Sequence, residues 1–133
     1  MAQVSYVKIF NQMMDEFFIE LIDIFPEETK LKVHYNLFQT ICKTNAKKPS
    51  NDFIIGSFPY LEKICMKDES FFTGSEKPEL LEKINIKNMW TDDLSPITKD
   101  AIWKYIKNFF AIGIHIVQVP DDKIGLINFI INN

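Results

Sequence analysis

The feature that most constrains this chain is an apolar stripe near its start, repeated at the helical period and stopped by a proline. Phe10, Met13, Met14, Phe17, Phe18, Leu21, Ile24 and Phe25 recur at helical spacing, so at about 100° per residue they fall on one broad face. Pro26 follows at once; its ring clashes with the preceding turn and it has no N–H to donate. The pattern predicts a helix over Ser5–Phe25. At 1.5 Å per residue such a helix is about 30 Å long, enough to organise a whole domain.

The rest of the chain continues in the same idiom. Leu31, Tyr35, Phe38, Ile41 and Cys42 predict a second helix over about Glu27–Asn45, followed by a loop from Asn45 to Pro49. Ser50 or Asn51 is placed to cap a third segment facing Phe53, Ile54, Phe58, Leu61, Ile64 and Cys65 inward, with a kink or break at Pro59. Lys67 to Lys77 reads as a loop around Gly74 that carries Phe71 and Phe72. Pro78 opens a short helix through Leu80, Leu81 and Ile84. Ile86–Asp93 fits no single period. Ser95-Pro96 is a helix start, with Ser as cap and Pro at the first helical position. The helix beyond it turns Ile102, Tyr105, Ile106, Phe109, Gly113 and Ile116 to one side. Two helices are expected to finish the chain. The alternative is a short β-hairpin, because Ile112, Ile114 and Ile116 alternate and Asp121-Asp122-Lys123 is a workable turn. The expected fold is all-α: one helical domain over residues 1–133, built as a bundle of five or six helices.

Composition narrows function mainly by exclusion. The 15 cations are all Lys, against 18 acids, and the formal net charge is -3. A chain without Arg lacks the bidentate grip that phosphate and guanine favour. Nucleic acid is therefore a disfavoured partner. The excess of Ile, Asn and Lys is what AT-rich codons produce. Two cysteines, Cys42 and Cys65, are too few for a disulfide scaffold. The first residues lack the pattern of a secretory leader. The longest apolar stretch, Phe109–Val119, has 11 residues, against the roughly 20 needed to span a bilayer. A soluble protein that is not secreted is expected.

Chemistry-bearing patterns are largely missing. Gly56, Gly74, Gly113 and Gly125 stand apart, so no glycine-rich phosphate cradle exists. His34, Cys42, Cys65 and His115 lack metal-ligand spacing. Both cysteines sit on apolar faces, where a thiol is inert. Glu16, Glu20, Asp23 and Glu27 form an acidic row that reads as a solvated face. Lys43, Lys47 and Lys48 read as a solvated loop. No catalytic, metal or cofactor residues are assigned, and no enzyme is expected. The aromatics point elsewhere: Met89, Trp90, Trp103 and Phe110 could gather into one exposed patch beside Asp92-Asp93, and such patches anchor partners.

A resemblance adds to this reading. Phe10, Phe17-Phe18 and Phe25-Pro26, then Lys67-Asp68-Glu69-Ser70-Phe71-Phe72, then Met89-Trp90, Leu94-Ser95 and Ala101-Ile102-Trp103-Lys104-Tyr105-Ile106 resemble small helical proteins of nucleocytoplasmic large DNA viruses. The resembling stretch covers roughly residues 6–112. It brings no catalytic residues. It implies a viral accessory or virion protein in the host-cell cytoplasm or the virion. The function expected is a non-enzymatic interaction or structural module that binds a protein partner or itself. The alternative is a viral factor associated with nucleic acid.

Overall fold

The structure, a computed structural model, describes residues 5–133. Among these residues it is all helix and turn, with no strand. Five helices have ten residues or more: α1 (Tyr6–Ile24), α2 (Thr29–Thr44), α3 (Lys48–Ser57), α8 (Pro96–Gly113) and α9 (Asp121–Asn132). Between α3 and α8 lie a 3-10 turn at Phe58–Tyr60 and four helices of about one turn. These are α4 (Leu61–Cys65), α5 (Ser70–Thr73), α6 (Glu79–Lys83) and α7 (Ile86–Met89). The nine helices described exceed the five or six expected, and the surplus lies wholly in this middle stretch.

The long helices start and stop for the expected reasons. Ser5 Oγ accepts the Lys8 N–H at 3.2 Å, and Pro26 lies just past the end of α1. Ser95 Oγ accepts the Thr98 N–H at 3.2 Å with Pro96 at the first helical position of α8. Pro59 does break the third segment: α3 ends at Ser57 and the chain tightens into the 3-10 turn. One boundary differs. α3 begins at Lys48, with Pro49 in its first turn, so neither Ser50 nor Asn51 is a cap. Ser50 is buried, and its hydroxyl donates back to the Lys47 carbonyl at 3.0 Å.

The hairpin alternative is incorrect. Residues 121–132 are helical, with Pro120 as the cap residue and Asp121 and Asp122 in the first turn. Acids there favour a helix, because they face the positive end of its dipole. The alternating isoleucines fall across the end of α8, where Ile116 and Val117 both donate to the Gly113 carbonyl. Ile116 thus lies beyond α8.

Phe109 on α8 joins three helices. Its ring meets Phe10 and Phe17 of α1 at 5.2 and 5.6 Å, and Phe53 of α3 at 5.3 Å. Aromatic pairs of this kind add about 0.5–1.5 kcal/mol beyond their buried area. α8 is therefore the central element, with α1 and α3 against it and α9 closing over α4 and α8. No helix among the described residues is long and apolar enough to cross a membrane.

Candidate functional site

The expected aromatic patch does not exist as a surface. Met89, Trp90, Trp103 and Phe110 are 2%, 3%, 8% and 0% exposed. Trp90 and Trp103 do come together, at 5.9 Å between ring centroids, but Phe72 stacks on Trp90 at 4.2 Å and lies edge-on to Trp103 at 4.7 Å. Phe110 is not part of this nest; its nearest aromatic partner is Phe53, at 6.3 Å. The physical reason is α5. The stretch expected to be loop folds into one helical turn and drives Phe71 and Phe72 fully into the core. Asp68 Oδ1 starts that turn by accepting the Ser70 N–H at 2.9 Å.

The outer edge of the nest is polar and satisfied. Trp90 Nε1 donates to Glu69 Oε1 at 3.1 Å, Lys99 Nζ meets the same oxygen at 2.9 Å, and Lys99 lies 5.4 Å from the Trp90 ring centroid. The hydrogen bonds from Lys99 and Trp90 hold the Glu69 carboxyl below its ordinary pKa. This arrangement seals an indole N–H that would otherwise be buried without a partner.

The other chemistry-bearing residues are dispersed. Burial raises the pKa of both Cys42 and Cys65, with Asp15 and Glu62 respectively pushing the same way. Cys65 Sγ donates to the Leu126 carbonyl at 3.3 Å, tying α4 to α9. His115 stacks on Tyr6 at 4.1 Å. Among the described residues no three His, Cys, Asp or Glu side chains are grouped to hold a metal. Tyr35 donates to Asp15 Oδ1 at 2.7 Å, and that bond pushes its phenol up to about 12.

Besides a cleft of about 240 Å³ around Gly74, Lys77, Leu81 and Asn85, two others open on the surface. The first, about 150 Å³, lies between α2, α3 and α6 over Phe38 and Phe53. Its rim charges neutralise one another, Lys48 with Asp52 at 2.8 Å and Lys83 with Glu79 at 2.6 Å. The second is larger, about 310 Å³, between α4, α8 and α9. Trp103, Ile64 and Ile130 give it apolar walls, and Phe129 stands at its edge 50% exposed. Lys67, Lys104 and Lys107 also line it, together with one acidic side chain, Asp100, and with Asn133. None of these three lysines has an ion-pair partner among the described residues.

Lys67 is held at a backbone cost. It follows the end of α4 at φ 50°, the left-handed region. Its N–H donates to Ile64 O at 3.1 Å and the Asp68 N–H to Lys63 O at 2.9 Å, a helix stop that ordinarily uses glycine. Strained positions of this kind gather at functional sites. Lys67→Gly should therefore stabilise the fold by about 0.5–1 kcal/mol, the left-handed penalty less the entropy glycine gives up. Urea denaturation measures it, and a loss of stability would mean that the lysine side chain supports the fold.

Sequence reasoning missed this cleft, although Lys104 and Lys107, three apart on α8, are a visible pair. Lys67 and Phe129 reach it from distant segments. Of the four residues expected to bind a partner, only Trp103 touches it, through the small part of its ring left uncovered. Compared with protein-family models, with curated proteins and with solved structures, the chain has no match.

Proposed function

We propose that this chain is a non-enzymatic helical interaction module, and that the cleft between α4, α8 and α9 holds an acidic surface of a protein partner. The observation that carries this reading is the set of three lysines without ion pairs around apolar walls, with Phe129 half exposed beside them. Interfaces use this layout, a buried aromatic anchor inside a polar rim that selects the partner by charge. The dispersed histidines and the raised thiol pKa values support a role without catalysis. The viral resemblance extends the proposal to an accessory or virion protein, acting in the host-cell cytoplasm or in the virion.

The test places a photo-reactive benzoylphenylalanine at Phe129 in cells that make the protein. A covalent adduct with a polypeptide is expected, and its yield should collapse in Lys104→Glu/Lys107→Glu. If no polypeptide adduct forms, or if the yield ignores the lysines, the reading fails.

A further inference from the structure

The two longest helices carry opposite charge. Within Tyr6–Ile24, α1 has Asp15, Glu16, Glu20 and Asp23 against Lys8 alone. Within Pro96–Gly113, α8 has Lys99, Lys104 and Lys107 against Asp100. Glu16, Glu20 and Asp23 are exposed along one edge of α1, and Ile19 stands beside that row 43% exposed. The edge is electrostatically felt by its neighbours: burial raises the pKa of Tyr105 on α8, and the Glu20 and Glu16 carboxylates add to the rise. On the other flank of the same helix, Lys104 and Lys107 line the cleft beside the half-exposed Phe129.

We propose that the cleft takes the acidic edge of α1 from a second copy of this chain. The proposal rests on the reading of the cleft as a partner site and names the partner. Charge and apolar character match on both sides: Glu16, Glu20 and Asp23 beside Ile19 answer Lys67, Lys104 and Lys107 in the cleft that Phe129 also lines. One copy cannot satisfy itself. Its α1 is fixed by Phe10, Phe17 and Phe18, all buried in the core, so the acidic edge cannot reach the cleft. A symmetric pairing of two clefts would set lysines against lysines. The contact pairs unlike surfaces, α1 of one copy with the cleft of the next; made reciprocally it closes a twofold dimer, and made one way it builds chains or rings. Its strength depends on salt, since screening acts over about 8 Å at physiological ionic strength and about 3 Å at 1 M.

Sedimentation velocity of the purified protein, over a range of concentrations at low and high salt, reads the association. Wild type should form larger species at low salt that dissociate at 1 M. Lys104→Glu/Lys107→Glu should weaken association by about tenfold, as expected when two surface pairs turn from attraction to repulsion. Glu16→Lys/Asp23→Lys should weaken it similarly. An equimolar mixture of the two variants should regain it, because each now offers what the other lacks. Lys30→Glu/Lys32→Glu carries the same net charge as the cleft variant but changes α2, and should associate as wild type does. Circular dichroism confirms that each variant is folded. Self-assembly is overturned if wild type stays monomeric at every concentration, if the mixture fails to recover, or if the α2 control is weakened equally. A monomeric chain that still gives a Phe129 adduct with another protein overturns only self-assembly. A monomeric chain with no adduct overturns the cleft reading as well. Salt-sensitive binding of a random-sequence oligonucleotide, lost in the cleft variant while copies stay apart, would assign the lysines to nucleic acid and overturn both.

Discussion

Replacing Trp103 by Ala should lower the unfolding free energy by about 3–5 kcal/mol, the range for deleting a large buried aromatic. The ring is only 8% exposed and meets Phe71, Phe72 and Trp90 at 6.0, 4.7 and 5.9 Å. Its loss leaves a void that neighbouring elements cannot fill without giving up contacts of their own. The consequences spread beyond one side chain. α5 and α7 are four residues each, far too short to hold helical structure alone; they persist because their aromatic and apolar residues are anchored in this nest. Urea unfolding followed by circular dichroism measures the effect. Trp90 remains as a local reporter, and its emission should shift toward that of exposed indole before the global transition. A change below about 1 kcal/mol, ordinary for a surface substitution, would return Trp103 to the surface. The outcome also separates two meanings of a tryptophan pair. A partner anchor lowers association when truncated and spares the fold, whereas a core ring does the reverse.

The difference between those meanings was not available in the sequence, and the reason is local. Trp90 lies just after a single turn of helix, and the ring stacked on it, Phe72, comes from another single turn, Ser70–Thr73. Four residues cannot display a period of 3.6, so the pattern that locates α1, α2 and α8 is silent here. The stops in this region are equally hard to read. Lys67 and Asn85 both take left-handed backbone angles, φ 50° and 61°, at the ends of α4 and α6. Asparagine advertises that habit; lysine does not. Where elements are long, the reading is close: α1 ends within two residues of its proline and α8 begins at its Ser95-Pro96 signal, and Phe10, Phe17, Phe18 and Phe109 are buried as their spacing requires. The aromatic side chains that the sequence offers as a surface patch lie in the core. Trp103 and Phe110 lie on the flank of the α8 stripe, and that stripe is wide because α8 is covered by α1, α3 and α9 together. A central helix buries its flanks as well as its middle. The candidate cleft was illegible for the complementary reason: charge rows along one helix are visible, while three lysines from two segments meet only in the folded chain.

Gly113→Val should destabilise the protein by about 1–3 kcal/mol, the usual cost of forcing extra carbon into a packed core. Gly113 is the last residue of α8 and is buried. A Cβ built there would lie 2.6 Å from Ile54 Cδ1 and 2.7 Å from Ile54 Cγ1. Ile54 is 0% exposed on α3, so it has no solvent to swing into, and the clash must be relieved by moving α3 and α8 apart. Helix propensity alone argues the opposite, since glycine costs about 1 kcal/mol against alanine within a helix. Here the close approach of two helices outweighs it. A second glycine exposes the contrast. A Cβ at Gly56, within α3, meets nothing within 4 Å, so Gly56→Ala should gain up to about 1 kcal/mol from propensity. The decisive measurement is a double-mutant cycle with Ile54→Ala, which by itself should cost about 2–5 kcal/mol through the cavity it leaves. If Gly113 and Ile54 define the α3–α8 approach, Val at 113 refills part of that cavity. Its cost then shrinks or reverses in the Ile54→Ala background, with a coupling of about 0.5–3 kcal/mol as found for touching residues. Equal costs in the two backgrounds would show that the helices do not meet at this pair. The path of α8 would then need another determinant, since Phe53 and Phe109, whose rings lie 5.3 Å apart, are brought together by the same packing of α3 on α8.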